Sequence, residues 1–312
     1  MAVGKPGDSI PVEQVTPGLA RLKLAMANVY FVGRPGGAWV LVDTCTPGHA
    51  ARIRSAAEQR FGGARPSVIL LTHGHWDHAG SALELANIWD VPIYAHRLER
   101  PFLTGRDQYP PRDPTVGGAT ALLCRFFPRV AANLGARLKD LPADGEVPGL
   151  PEWRWYHTPG HAPGHVVFFQ PDESVLLAGD ACATMDLDSA IGLLTQAPRI
   201  SRPPAPFTFD WDQAHHSVEL LADLRPQVLA TGHGEPMRGR EVAEGLAQLA
   251  RDFPRPGHGR YADEAARTDE SGVTYLPAAP DDRLPKIAAA AGLSALALGI
   301  LAVAAARRRS EN

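Results

Sequence analysis

Short apolar runs alternate along this chain with stretches of helical period, and Gly, Pro and Asp punctuate the joins. Residues 22–32 and 39–43 read as two strands separated by the Arg34-Pro35-Gly36-Gly37 turn, so a hairpin opens the domain. Residues 50–61 have helical composition, Gly62-Gly63 stops them, and 67–72 is a buried strand. A helix over 81–88 and a strand over 91–95 continue an α/β layer. Regularity then fails over the Pro-rich stretch 101–114, which reads as an insertion or lid, and 119–134 reads as a helix interrupted by Pro128. Strands return at 153–156, 165–169 and 174–178, rich in β-branched and aromatic residues. A helix over 213–223, a strand over 227–230 and a helix over 241–251 complete an α/β pattern that recurs in both halves. No solenoid period is present.

Beyond residue 254 the pattern changes. Residues 255–286 are rich in Pro, Asp and Arg and read as a polar linker after a catalytic domain spanning 1–254. Residues 287–306 are uncharged and include ten Ala. At ~1.5 Å per residue a helix of that length reaches roughly 30 Å, one hydrocarbon core. Lys286 precedes the run, and Arg307, Arg308 and Arg309 open a basic tail, 307–312. The expectation is a single C-terminal transmembrane helix that anchors the protein to a membrane. Residues 1–15 lack the apolar core of a secretory signal, which points to a cytoplasmic catalytic domain, although the three arginines favour a cytoplasmic C-terminus instead.

The 312 residues are 45% hydrophobic and 21% charged, an ordinary globular composition. A formal charge of −3 gives no basic excess, so no nucleic-acid partner is expected. Cys45, Cys124 and Cys182 are odd in number and lack Cys-x-x-Cys spacing, which argues against a disulfide framework and against a cysteine zinc knuckle.

The chemistry concentrates in Thr72-His73-Gly74-His75-Trp76-Asp77-His78, which follows a buried strand and precedes a helix. Imidazole and carboxylate are good ligands for borderline metals, and a loop beyond a strand end can aim several of them inward. His161 in Pro159-Gly160-His161, Asp180 in Ala178-Gly179-Asp180 and His233 in Gly232-His233-Gly234 share the context of a strand end or Gly turn. Gly there lets the backbone approach an ion.

At these residues the chain resembles the metallo-β-lactamase superfamily, in the His-x-His-x-Asp-His branch shared by glyoxalase II-like thioesterases and acyl-homoserine lactonases. The resemblance covers about residues 11–251. It implies an αββα sandwich with the site at one edge. It further implies that His73, His75 and His161 bind one metal, that Asp77, His78 and His233 bind a second, and that Asp180 bridges them. The cofactors implied are two divalent ions, zinc first, with iron or manganese as alternatives. Asp43 in Val42-Asp43-Thr44 and His165 are expected to support the ligands, not to ligate. Two ions sharing a water lower its pKa toward 7, which suits hydrolysis of a thioester, lactone or related ester of a small acyl substrate. Asp77 is suited to move the proton, and Asp180 completes the catalytic pair. The alternatives are an iron-dependent persulfide dioxygenase, a nuclease of the same fold and a binding module with a dead site. Cys182 is read as a buried small residue, and substrate choice is assigned to two irregular loops, 102–114 and 198–211.

Overall fold

A computed structural model describes residues 11–127 and 133–282. The chain divides into two units, Met1–Pro277 and Ala278–Asn312, and every element named below lies in the first.

One sheet runs in strict sequence order through β1 (Val12–Thr16), β2 (Leu19–Lys23), β3 (Asn28–Val32), β4 (Val40–Val42), β5 (Ile69–Leu70), β6 (Ile93–Ala95) and β7 (Leu138–Asp140). Its first four strands pair antiparallel, and β4 to β7 pair parallel. The second sheet contains β8 (Glu146–Val147), β9 (Leu150–His157), β10 (Val166–Gln170), β11 (Val175–Gly179), β12 (Val228–Thr231) and β13 (Met237–Arg238) in the order β13-β12-β11-β10-β9-β8. Here only β11 and β12 run parallel.

The helices are α1 (Ala50–Phe61), α2 (Trp76–Ala79), α3 (Ala82–Trp89), α4 (Arg100–Leu103), α5 (Ala119–Leu123), α6 (Ala190–Thr195), α7 (Trp211–Asp223) and α8 (Arg240–Arg251). A hairpin, β14 (Arg267–Asp269) with β15 (Gly272–Tyr275), follows.

The layering follows from side-chain alternation. In β3 every residue is buried, because both faces are covered. Phe31 and Leu41 pack with Ile53 of α1 and Leu85 of α3 on one side of the first sheet. Tyr30, Val42 and Leu70 face the other way and pack with Phe168 and Leu177 of the second sheet. Val167 and Leu176, one residue out of step with those, meet Val218 of α7 and Leu246 of α8. Helix, sheet, sheet and helix thus stack as the αββα sandwich expected.

Several boundaries differ from the sequence reading. The stretch 22–32 is two strands, because β2 ends at Lys23 and β3 begins at Asn28, and β1 pairs ahead of them. Helix α5 ends at Leu123, a 3-10 turn covers Cys124–Phe126, and Phe127 is extended at φ −75°, ψ 142°. Pro128 explains this, since a proline disfavours helical backbone at the residue before it. Within the stretch read as a linker lie β14, β15 and the buried Tyr261, whose hydroxyl donates to the Pro111 carbonyl at 2.6 Å.

The expected C-terminal transmembrane helix requires correction. Among the described residues no helix is long and apolar enough to cross a membrane, and 287–306 lies outside the described residues. The sequence argument rested on length and absence of charge, yet half of that run is Ala, whose methyl offers little apolar area to drive insertion. The membrane partner, the anchored localisation and the placement of the domain at a membrane face fall with it.

Candidate metal centre

The strand ends that meet at one edge of the sandwich carry the predicted ligands. His73, His75, Asp77 and His78 follow β5, His161 lies between β9 and β10, Asp180 follows β11, and His233 follows β12. Among the described residues three groups could hold a metal: His73 with His75 and His161, His73 with His78 and Asp180, and Asp77 with His78 and His233. All seven residues named from the sequence are therefore brought together.

In the first group, His73 Nε2 lies 3.0 Å from His75 Nδ1, which lies 3.0 Å from His161 Nε2, and His161 Nε2 is 3.2 Å from His73 Nε2. Zn–N bonds of ~2.0–2.1 Å at the tetrahedral angle separate neighbouring ligand nitrogens by about 3.3 Å. The edges of the triangle fall slightly short of that separation, close to what an ion requires. Asp180 Oδ2 stands 3.5 Å from His161 Nε2 and 3.2 Å from His233 Nε2, while its Oδ1 is 3.5 Å from His78 Nε2. It therefore lies between the two groups. Asp77 Oδ2 is 3.7 Å from His233 Nε2 and 4.0 Å from His78 Nε2.

The donor set fits cations. His78 Nε2 and Asp180 Oδ1 are buried and have no hydrogen-bond partner, an arrangement that costs about 1–3 kcal/mol per group unless a cation meets them. Burial holds His73 and His161 well below the usual histidine range and His75 at about 3, with neighbouring imidazoles adding to the effect. These rings are neutral and offer lone pairs. Burial opposes charge on His78 and His233 as well, but Asp180 leads the carboxylates that outweigh it and raise both pKa values. The local field there favours a positive occupant.

Asp43 and Thr72 set the ring tautomers, as assigned from their partners. Asp43 Oδ1 accepts the Thr72 N–H at 2.9 Å, and Oδ2 accepts the Thr72 hydroxyl at 2.9 Å and His78 Nδ1–H at 2.8 Å. With its hydroxyl committed to Asp43, Thr72 Oγ1 accepts from His73 Nδ1–H at 3.0 Å. Both Nε2 lone pairs are then free to face the centre. His165 is absent from the metal groups. Its Nε2 accepts the Asp180 N–H at 2.9 Å, so its Nδ1 carries the proton and donates to Thr158 Oγ1 at 2.8 Å. Gly232 permits the close packing, since a Cβ there would land on Asp180 Oδ1 and lie 2.6 Å from His78 Cε1.

His75, Asp77, His161, Asp180 and His233 floor a cavity of about 360 Å³ whose walls include Met26, Leu123, Phe127, Met185, Leu187 and Phe207. Of the two loops expected to cover the site, 198–211 contributes Pro204 and Phe207, but its Phe209 and Trp211 are buried in the outer core. The loop 102–114 lines none of this cavity. Phe102 instead stacks on Tyr109 at 4.2 Å beneath its own loop. Cys182 is buried, and burial together with the Asp180 charge pushes its thiol up to about 12, which leaves it inert.

The sequence reading missed residues that act through backbone groups. Asn28 Nδ2 donates to the carbonyls of Thr231 and Gly234 at 2.9 and 2.8 Å, and the Tyr30 hydroxyl donates to Thr231 O at 2.8 Å, which pins the His233 turn. Glu99 binds backbone on both sides of the centre. The wall residues from α5 and from 185–187 had no signal beyond apolarity.

A family model described as the metallo-beta-lactamase superfamily matches residues 22–233, and the chain belongs to that superfamily. It is a metallo-hydrolase of that class, with His and Asp groups that could hold the metal. A relative in Bacillus subtilis (strain 168), named probable metallo-hydrolase YflN, is 42% identical over 241 residues, covering 76% of this chain and 91% of the relative. Hydroxyacylglutathione hydrolase GloC of Haemophilus influenzae is 31% identical over 115 residues, 36% of this chain and 48% of its own. Among solved structures, the metallo-beta-lactamase family protein TTHA1429 from Thermus thermophilus aligns with a TM-score of 0.51 at 25% identity, covering 76% of this chain and 80% of that one.

Proposed function

We propose that the chain hydrolyses uncharged carboxylic esters, thioesters or lactones bearing an apolar acyl group. In this reading His73, His75 and His161 hold one divalent ion, Asp77, His78 and His233 hold a second, and Asp180 lies between them. The cavity carries the argument. Its floor of imidazoles and carboxylates suits a reacting carbonyl, its walls of thioether, aliphatic and aromatic groups suit hydrocarbon, and its described lining includes no Lys or Arg.

When bound, the two ions supply a water of lowered pKa and a Lewis acid for the carbonyl. The chain supplies the rest. Asp77, whose side chain is 16% exposed, borders the cavity within reach of a proton released there. Asp43 holds His73 and His78 in the tautomers that present Nε2, and His165 fixes the backbone of Asp180. Mixed imidazole and carboxylate donors favour zinc, with iron or manganese as the alternatives. Hydroxyacylglutathione, named for the Haemophilus relative, is a thioester and supports keeping that bond type in the substrate class, while its charged glutathione and polar acyl parts do not match this cavity.

The test is kcat/KM of the zinc-loaded protein against ester, thioester and lactone series of rising acyl length. At ~0.8 kcal/mol per buried CH₂ the expected rise is about 4-fold per methylene until the cavity is full. A profile flat in chain length rejects the apolar acyl group. Unchanged activity in both Asp180→Ala and His75→Ala rejects the site. Oxygen uptake with glutathione persulfide in place of hydrolysis assigns the same ligands to dioxygenase chemistry.

A further inference from the structure

Behind the ligand loops lies a carboxylate that neither the histidine motif nor the proposed reaction uses. Glu99 is 0% exposed and ends the 3-10 turn Arg97–Glu99, which follows β6. Its Oε2 accepts the Gly74 N–H at 2.7 Å and the Tyr109 hydroxyl, and its Oε1 accepts the Gly164 N–H at 2.7 Å. Gly74 separates His73 from His75, and Gly164 lies between His161 and His165. One side chain thus ties together the two loops whose rings converge in the His73, His75 and His161 triangle.

The close approach is built into both loops. A Cβ at Gly74 would lie 2.6 Å from the Tyr109 hydroxyl and 2.7 Å from Leu103 Cδ2, and one at Gly164 would lie 2.8 Å from Glu99 Cγ. Neither glycine has positive φ, so the requirement is space and not backbone conformation. Tyr109 braces the arrangement from the far side. Its hydroxyl accepts the Gly74 N–H at 3.0 Å while donating to Glu99, and its ring lies 4.6 Å from that of His75.

The chemistry calls for a carboxylate. Both oxygens of Glu99 act only as acceptors, facing backbone N–H groups on opposite loops. An amide of the same shape would have to turn its NH₂ toward one of those N–H groups, leaving a buried donor without an acceptor. Burying a carboxylate is costly and raises the Glu99 pKa, and bonds from the Tyr109 hydroxyl and the Gly164 and Gly74 N–H groups offset part of that cost. A peg that only filled space would have no need of the charge.

We infer that Glu99, braced by Tyr109, is a positioning residue that sets the distance between the two ligand loops and so the affinity of the His73, His75 and His161 trio for its ion. The inference rests on the metal-centre reading proposed above. Its test uses the full chain stripped with chelator and titrated with Co²⁺ alone, reading the visible ligand-field spectrum and the dissociation constants, with thermal melts of the stripped protein beside them. Wild type takes up two equivalents. Glu99→Gln still melts cooperatively when stripped but binds the trio's ion about 10- to 100-fold more weakly, with an altered spectrum. Tyr109→Phe shifts both readouts in the same direction by less. Wild-type Co²⁺ affinity and spectrum in Glu99→Gln, with only the melt lowered, overturns the inference. Should Glu99→Gln fail to fold, Tyr109→Phe decides by the same readouts, and wild-type values there overturn it equally. Failure of wild type to bind Co²⁺ instead removes the metal-centre reading itself, and the clamp with it.

Discussion

Asp43→Asn exchanges one oxygen for an NH₂ and is expected to disable two candidate ligands, His78 through a direct hydrogen bond and His73 through Thr72. Asp43 receives three hydrogen bonds, from the Thr72 N–H, the Thr72 hydroxyl and His78 Nδ1–H. The amide has two placements. With its oxygen toward His78, the NH₂ confronts the Thr72 N–H, which is orphaned at about 1–3 kcal/mol. With its oxygen toward the Thr72 N–H, the NH₂ donates to Thr72 Oγ1 and His78 Nδ1. In that placement His78 must carry its proton on Nε2, and the freed Thr72 hydroxyl can donate to His73 Nδ1, 3.0 Å away, turning His73 to the same tautomer. Where His78 is neutral, the second placement satisfies each of these groups in the metal-free protein, so it prevails there. Metal binding must then restore the first, at the same 1–3 kcal/mol, or about 5- to 150-fold in affinity. Chelator competition with Zn²⁺ measures this directly, and circular dichroism reports that the fold survives. Two zinc ions bound by Asp43→Asn at wild-type affinity would refute the tautomer argument.

Two further outcomes follow from the cavity and from the buried histidines. Phe207→Ala removes a wall that stands 5.8 Å from the His75 ring and stacks at 6.1 Å on Phe127; kcat/KM should fall about 5- to 30-fold for the longest acyl substrates, equivalent to about 1–2 kcal/mol of lost burial, and little for acetyl esters, whereas an equal loss at every length would contradict the wall assignment. His96 and His157 stack at 4.3 Å, and burial holds His96 at about 3 and lowers His157, whereas in the unfolded chain both titrate near ~6.5. Below that pH the unfolded state binds more protons, so stability falls as pH drops from about 6.5 toward 3. His96→Asn, which keeps an acceptor for the Leu98 N–H, should flatten that acid limb in urea melts of the stripped protein, and an unchanged slope would count against the assignment.

The candidate ligands were legible because their chemistry resides in residue type and because four of them share one loop after a strand. The helices α1, α7 and α8 were legible because their apolar spacing and Gly or Asp boundaries agree with the packing that buries them. The cavity walls were not. Leu123, Met185 and Phe207 come from separate segments, and apolarity alone does not distinguish a side chain that lines a cavity from one that fills a core. The loop 102–114 misled for the same reason, since its aromatics pack beneath it. The uncharged run at 287–306 misled because length and neutrality were taken for hydrophobic drive in a segment that is half Ala.

Glu99 was hidden for a different reason, and its position shows how such residues can be found. It speaks to backbone N–H groups, which every residue carries, so no motif announces its partners. The topology does. Strands β4, β5 and β6 are parallel neighbours, and β5 delivers the His73 loop from the centre of the three. The chain leaving β4 brings Asp43 to one flank of that loop, and the chain leaving β6 brings Glu99 to the other. Parallel strands end on a common edge, where polar groups from adjacent strands meet across a central loop. A carboxylate just beyond a strand that neighbours a ligand-bearing one is therefore a candidate support even when it belongs to no motif. Asp43 reaches its histidines through imidazole nitrogens and Thr72, whereas Glu99 reaches the glycine backbone between and beside them. The two carboxylates divide the work: one orients rings within a loop, and the other sets the distance between loops.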